Sequence, residues 1–232
     1  MPKNQFIKYK KRGRKKRYTK RDYLNKMSTK IIRGPAMNPD RLFVKLKYPQ
    51  FVNFSGSNTV EQTFRLNSCF DPDFSGGGQQ PVGFDEWSAF YDRYRVHASK
   101  ITAKVITTGA TPQGNVVSFV IMPTAEASGP PSTGIRNAIG NPYAKYIVLG
   151  PNVGSSVSKV VNYCNVAKWM GKVGVKYDDV NAAETLTNPS RQVYWYTQAS
   201  TMDGLSNIDQ FRVLFIIEYY VVFPSHDRRP TA

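Results

Sequence analysis

The residues with the most distinctive chemistry lie near the N-terminus, where lysine and arginine dominate. The densest block contains ten basic side chains: Lys8, Lys10, Lys11, Arg12, Arg14, Lys15, Lys16, Arg17, Lys20 and Arg21. Such side chains bind phosphate groups and release their counterions without reading a base sequence. Aromatic residues lie among the charges, and aromatic rings can stack on unpaired bases: Phe6, Tyr9, Tyr18 and Tyr23. The block therefore predicts a segment that binds nucleic acid, including single strands.

The positive charge of the chain is concentrated in this segment. The chain carries 32 basic and 16 acidic residues, for a net charge of +16. Residues 1–33 hold 14 of the basic residues and one acid, Asp22, so their net charge is +13 and residues 34–232 carry only +3. A segment with this charge density repels itself and cannot bury a core. With the Gly- and Pro-rich linker Gly34–Pro39, the sequence predicts a disordered basic arm over residues 1–35 and one folded domain over residues 36–232.

The arm also bears on where the protein acts in the cell. The block Lys10–Arg17 has the composition of a nuclear localisation signal, which importins bind. The N-terminus lacks the apolar centre of a secretory signal, and no apolar run approaches the ~20 residues that span a bilayer. We therefore expect no membrane insertion. Cys69 and Cys164 are too few for a disulfide framework and are predicted to be buried free thiols.

Period-two alternation of apolar residues dominates the rest of the chain and predicts about eight strands. The clearest is Phe211–Phe223, where every second residue is apolar or aromatic. The predicted strands cover residues 42–48, 59–67, 94–108, 117–121, 145–149, 156–164, 193–196 and 211–223. One segment, Phe84–Tyr94, has apolar residues at helical spacing and predicts a short helix leading into a strand. Its aromatic residues are expected to pack in the core: Trp87, Phe90, Tyr91 and Tyr94.

This pattern predicts an all-β fold, namely an eight-stranded antiparallel jelly-roll sandwich with one short helix and the disordered basic N-terminal arm. A closed barrel of eight strands has the same strand count. Its strands would follow one another at even hairpin spacing, whereas this chain has two long connections, Thr124–Ala144 and Tyr163–Arg191. Long connections of this kind are expected to form an outer surface and contacts between subunits.

Candidate catalytic and metal-binding residues are few and poorly spaced. The two histidines, His97 and His226, and the two cysteines show no paired ligand spacing. Four loop carboxylates are formal candidates for calcium, although solvated loop acids are the simpler interpretation: Asp71, Asp73, Asp178 and Asp179. The sequence contains no G-x-S-x-G elbow and no phosphate-binding loop. It therefore predicts a protein without enzymatic activity, cofactor or resident metal.

Three features follow one another in a recognisable order. The basic arm leads into the strand Arg41–Tyr48, the segment Phe90–Ile101 reads FYDRYRVHASKI, and the chain ends soon after the long strand Phe211–Phe223. This order resembles the capsid proteins of small circular single-stranded DNA viruses, the circovirus-like group. The arm here is rich in lysine, where circovirus arms are dominated by arginine and its bidentate phosphate contacts. The resemblance implies a single jelly roll, sixty copies in a small icosahedral shell, and arms that hold packaged single-stranded DNA.

The hypothesis from the sequence is a viral coat protein that packages a single-stranded genome, with DNA favoured and with the virion and the host nucleus as its locations. Small RNA viruses also combine a basic arm with a jelly roll, so an RNA-virus coat protein is one alternative. A monomeric nucleic-acid-binding β module with a basic tail is a second, and a β-sandwich enzyme or lectin with a localisation tail is a third. The near-neutral charge of residues 34–232 argues against the module, which would usually carry its basic face on the fold.

Overall fold

The computed structural model describes residues 41–77, 79–106, 115–129, 135–150, 157–171 and 182–224. The strands in these ranges are β1 Arg41–Phe54, β2 Thr59–Arg65, β3 Arg93–Ile106, β4 Val117–Thr124, β5 Lys145–Leu149, β6 Val157–Asn165, β7 Ala182–Glu184, β8 Tyr194–Thr201 and β9 Phe211–Pro224. The helices are α1 Phe84–Ser88, α2 Ile135–Gly140 and α3 Val166–Trp169. None of these helices has the length and apolar character needed to cross a membrane.

The strands form two antiparallel sheets that pack face to face. The first sheet has the order β1-β9-β3-β6, with the short β7 paired to the start of β3, and the second has the order β2-β8-β4-β5. Most connections cross between the sheets, the exceptions being β4 to β5 within the second sheet and β6 to β7 within the first. β9 returns to lie between β1 and β3. This connectivity is that of a jelly roll with two Greek keys. The predicted fold class is confirmed, and two separate sheets exclude the closed barrel.

The core between the sheets follows directly from the alternation in the sequence. In β9 the odd-numbered residues from Phe211 to Phe223 are all buried, and Phe215 among them meets aromatic residues of the second sheet. Phe215, for example, lies 4.9 Å from Phe64 between ring centroids. Trp195 of β8 is fully buried, and its Nε1 donates a hydrogen bond to Ser99 Oγ of β3 at 2.9 Å. The indole therefore fills the core and has its polar atom satisfied across the sandwich.

All eight predicted strands are present, but β1 is longer than predicted. It continues through Pro49 to Phe54, paired throughout with β9. A proline is tolerated here because β1 is an edge strand, whose outer side needs no backbone donor. The structure adds a ninth strand, the three-residue β7, and two helices, α2 and α3, that the sequence pattern did not predict.

The predicted helix over Phe84–Tyr94 is wrong in its extent. Helix α1 ends at Ser88, because Arg93 and Tyr94 already pair with β7 as part of β3. The aromatic cluster divides accordingly. Tyr91 and Tyr94 are buried and Trp87 packs against the core, whereas Phe90 is 62% exposed, so its predicted burial is also wrong.

Cys69 and Cys164 are both buried and free, as predicted. Burial raises the pKa of the Cys164 thiol to about 12 and that of Cys69 well above its usual value. Both thiols are therefore protonated at neutral pH, which makes them poor nucleophiles and poor metal ligands.

Gly129 lies in the connection that follows β4, where its backbone packs against Tyr196 of the second sheet. Its replacement by alanine is expected to destabilise the fold by about 2 kcal/mol. Its φ of +81° disfavours any side chain, and an added Cβ would lie 2.6 Å from Cε2 of the buried Tyr196. Thermal unfolding would measure the loss. Gly56→Ala is the matched control, since Gly56 has a φ of +85° but no atom near its Cβ position. Equal losses in the two variants would show that the contact with Tyr196 does not matter.

Candidate nucleic-acid interface

The outer face of the β1-β9-β3-β6 sheet carries most of the basic residues in the described ranges. Nine of the fourteen project from it: Arg41, Lys45, Lys47, Arg93, Arg95, Lys100, Lys104, Lys159 and Arg212. Two of the eleven acids in the same ranges share this surface, Glu184 and Glu218. The surface therefore has a net charge of +7, and the remaining described residues together have −4. We call this surface the basic face.

The basic face results from period-two alternation and from the register of the strands. In β1 the even-numbered Leu42, Leu46 and Tyr48 are buried, which turns Lys45 and Lys47 outward. The pairing places Lys47 opposite Glu218 of β9, and Glu218 opposite Lys100 of β3. Lysines from both neighbouring strands therefore surround one carboxylate on the strand between them.

Glu218 is the ionic centre of the basic face. One carboxylate oxygen lies 2.6 Å from Lys45 Nζ and the other lies 2.8 Å from Lys100 Nζ. Burial by itself would raise the pKa of Glu218, but the hydrogen bonds and charges of Lys100 and Lys45 outweigh burial and lower it. Glu218 therefore stays ionised and holds two cations on the surface of the sheet.

Glu218→Gln is expected to weaken the fold slightly and to strengthen nucleic-acid binding. The lowered pKa means that the folded state favours the ionised carboxylate, so this stabilisation is complete above the unfolded pKa of about 4.3 and disappears as the pH falls through the folded value. Because Lys45 remains 41% exposed, we expect a loss of about 1 kcal/mol at neutral pH. Freed Lys45 and Lys100 should bind phosphate, which raises oligonucleotide affinity at low salt. Urea unfolding at several pH values and fluorescence anisotropy would measure the two effects.

Glu61→Gln is the matched control for that prediction. It makes the same change in net charge on β2, in the other sheet. Equal gains in oligonucleotide affinity for the two variants would mean that total charge, and not the basic face, controls binding.

Aromatic rings lie among the cations of the basic face. The rings of Phe43 and His97 are stacked, with centroids 6.0 Å apart and planes 16° apart. Lys45 Nζ lies 5.7 Å from the centre of the Tyr220 ring, and the Arg212 guanidinium lies 4.7 Å from that of Phe51. His97 sits where a β-bulge shifts the register between β3 and β9, and such bulges redirect side chains. Cations for phosphates and rings for unpaired bases are the two components of a single-strand-binding surface.

The predicted binding residues from Lys8 to Arg21, like the whole arm and the linker, lie outside the described residues. The covalent connection is nonetheless informative. The chain passes from the arm and linker into Arg41, the first residue of β1, and β1 forms one edge of the basic face.

The basic face itself was missed by sequence reasoning, although its signal is present. Lys45, Lys47, Lys100 and Lys104 occupy the polar positions of two alternating segments. The alternation does not show which strands become neighbours in one sheet. The net charge of residues 34–232 is only +3, and that sum conceals the concentration of cations on one surface. The argument that the fold carries no basic face is therefore wrong, because most of its cations lie on one surface and most of its acids lie elsewhere.

The candidate calcium ligands have other partners. Asp71 Oδ2 lies 2.6 Å from Arg65 Nη1, and Asp73 Oδ1 accepts a hydrogen bond from Gln62 Nε2 at 2.9 Å. Asp178, Asp179 and His226 lie outside the described residues. Within the described part of the chain, no three His, Cys, Asp or Glu side chains are grouped so as to hold a metal ion.

No family model and no curated protein matches the sequence. Solved structures with a similar fold include that of Cocksfoot mottle virus, with 9% identity and a TM-score of 0.48 over 79% of this chain and 93% of that one. Tobacco necrosis virus has 10% identity and a TM-score of 0.47, over 84% of this chain and 87% of that one. A decameric BFDV capsid protein has 10% identity and a TM-score of 0.44, over 80% of this chain and 99% of that one. At these identities the assignment of function depends on the residues of this chain.

Proposed function

We propose that this chain is a non-enzymatic viral coat protein, which self-assembles into a small icosahedral shell and packages single-stranded nucleic acid. The observation that carries the proposal is the basic face, with a net charge of +7, joined through β1 to an arm with a net charge of +13 over residues 1–33. The arm and the basic face then both offer cations to a polyanion. Binding of this kind neutralises phosphates and requires no bond making.

The surface of the sandwich supports the assembly part of the proposal. Large apolar side chains are more than half exposed at several places on the loops and on the edge strand β5: Val82, Phe90, Tyr146, Val148, Leu186 and Leu205. Exposed apolar groups beside polar residues are typical of protein contacts. The resemblance of the arm, the aromatic segment and the terminal strand to circovirus-like capsid proteins favours DNA as the cargo and sixty copies per shell. It also favours import of the subunit into the host nucleus by an importin before assembly into the virion.

A second function remains in competition, the monomeric nucleic-acid-binding β module. The basic face favours it as well, because such modules carry their cations on the fold. The two functions differ in assembly state, since a module stays small when it binds an oligonucleotide and a coat protein forms closed particles. An RNA-virus coat protein would differ from the proposed one in its cargo.

Negative-stain electron microscopy of the purified full-length chain, combined with the ratio of absorbance at 260 and 280 nm, tests the proposal. We expect uniform round particles with raised absorbance at 260 nm, and loss of the nucleic acid on deletion of residues 1–33. DNase and RNase digestion of the extracted cargo would identify it. A small species that binds oligonucleotide would contradict the shell and favour the module, and a small species without affinity would contradict both.

A further inference from the structure

Two long parts of the chain carry charge of one sign. Residues 66–92, which connect β2 to β3, contain five acids and no base: Asp71, Asp73, Asp85, Glu86 and Asp92. Residues 127–177 contain six bases and no acid: Arg136, Lys145, Lys159, Lys168, Lys172 and Lys176. Charge blocks of opposite sign are expected where two surfaces attract each other.

The acidic block exposes apolar side chains next to its acids. Val82 is 78% exposed and Phe90 is 62% exposed, and they flank the exposed Asp85 and Glu86 of α1. The backbone of Val82 bridges to Lys47, which places this segment along the outer edge of β1. We call Val82, Asp85, Glu86 and Phe90 the acidic edge.

The other block presents a matching surface at β5. Tyr146 and Val148 of β5 are each 52% exposed, Tyr143 is 56% exposed, and Arg136 of α2 and Lys145 of β5 are exposed as well. β5 pairs with β4 on one side and ends the order of its sheet, so it is an edge strand among the described residues, and edge strands can pair with another chain. We call Arg136, Tyr143, Lys145, Tyr146 and Val148 the basic edge.

The two edges lie on opposite sides of the sandwich. β1 ends one sheet, whereas β5 ends the other sheet and contacts β6 at the far end of the first. They therefore cannot meet within one subunit, but they can meet between two subunits that are arranged side by side. A contact between two different patches is heterologous, and repetition of it gives a closed ring when the rotation between subunits closes.

We propose that the acidic edge binds the basic edge of a second copy of this chain, in a head-to-tail contact. The contact joins the exposed Val82 and Phe90, which flank α1, to the exposed apolar side chains of β5, with Asp85 and Glu86 facing Arg136 and Lys145. The inference deepens the proposed function by naming a subunit interface, and it rests on that function for its role in a shell. None of the residues of the two edges belongs to the basic face.

Charge reversal with rescue tests the contact in the full-length chain. Asp85→Lys/Glu86→Lys and Arg136→Glu/Lys145→Glu should each weaken self-association by at least roughly tenfold in sedimentation velocity, because like charges then face each other. The quadruple variant carries both reversals and should recover assembly. Glu126→Lys, an exposed reversal outside both blocks, should assemble like the original chain. Circular dichroism would establish that every variant is folded.

The outcomes separate this inference from the proposed function. Unchanged assembly of either double variant, or failure of the folded quadruple variant to recover, would overturn the contact while leaving a particle-forming coat protein intact. If the original chain forms small oligomers that respond to reversal and rescue, the contact stands and the closed shell does not. A chain that stays monomeric at all concentrations would overturn both.

Discussion

Replacing Arg65 with methionine is expected to lower the free energy of unfolding by about 3–5 kcal/mol. The Arg65 side chain is 11% exposed, and its Nη1 donates to Asp71 Oδ2 at 2.6 Å while its Nε donates to Gln192 Oε1 at 2.9 Å. Nη1 also donates to the carbonyl oxygens of Asp71 and Asp73. Methionine keeps the apolar stem but leaves a largely buried carboxylate and several acceptors without their donor. Urea unfolding followed by the fluorescence of the buried Trp195 would measure the loss.

Removal of the partner charge is the matched test of that prediction. Asp71→Asn in the Arg65→Met background should recover part of the loss, since the unpaired carboxylate causes much of it. A loss below about 1 kcal/mol for Arg65→Met would mean that solvent screens the pair and that it resembles an ordinary surface ion pair.

Deletion of residues 1–33 is expected to remove most of the salt dependence of single-strand binding. Each phosphate contact by a cation contributes about 0.7 to the slope of log affinity against log salt concentration. The deleted segment holds 14 basic residues, so the slope should become shallower by up to about ten. The slope that remains should reflect the basic face. Fluorescence anisotropy with an oligonucleotide from low to moderate salt would measure both slopes.

An arm of the same composition in scrambled order is the control for that deletion. Sequence-independent binding predicts that the scrambled arm restores both the affinity and the slope. An unchanged slope after deletion would contradict the role of the arm, and a loss of affinity on scrambling would indicate base-specific contacts.

The sequence predicted most strands well because strands such as β1 and β6 bury one face, and burial of one face leaves a period-two pattern. The row of apolar residues at every second position from Phe211 to Phe223 predicts a long strand, which is β9. The elements that it failed to predict are those held by tertiary contacts. β7 is three residues long and exists through its pairing with Arg93–Arg95, and Ala138 of α2 is buried against Tyr196 of the second sheet. No local pattern in segments this short distinguishes them from loops.

Of the candidate site, the arm could be predicted from the sequence and the basic face could not. The arm is visible because its charges are adjacent in the sequence. The basic face joins Lys45 of β1 to Lys100 of β3 through Glu218 of β9, so its residues are more than a hundred positions apart in places. Strand order decides that arrangement, and strand order follows from long-range pairing that alternation alone does not encode.

The basic face has a net charge of +7 and the remaining described residues together have −4, so the positive charge of the described fold is concentrated on one surface. An uneven charge distribution of this kind steers a diffusing subunit before contact, so that a polyanion would meet the same side of every copy. Nucleic acid would then orient the subunits as well as being packaged by them. Subunits held on one strand would all face the same way, and a shell built from them could not close inside out.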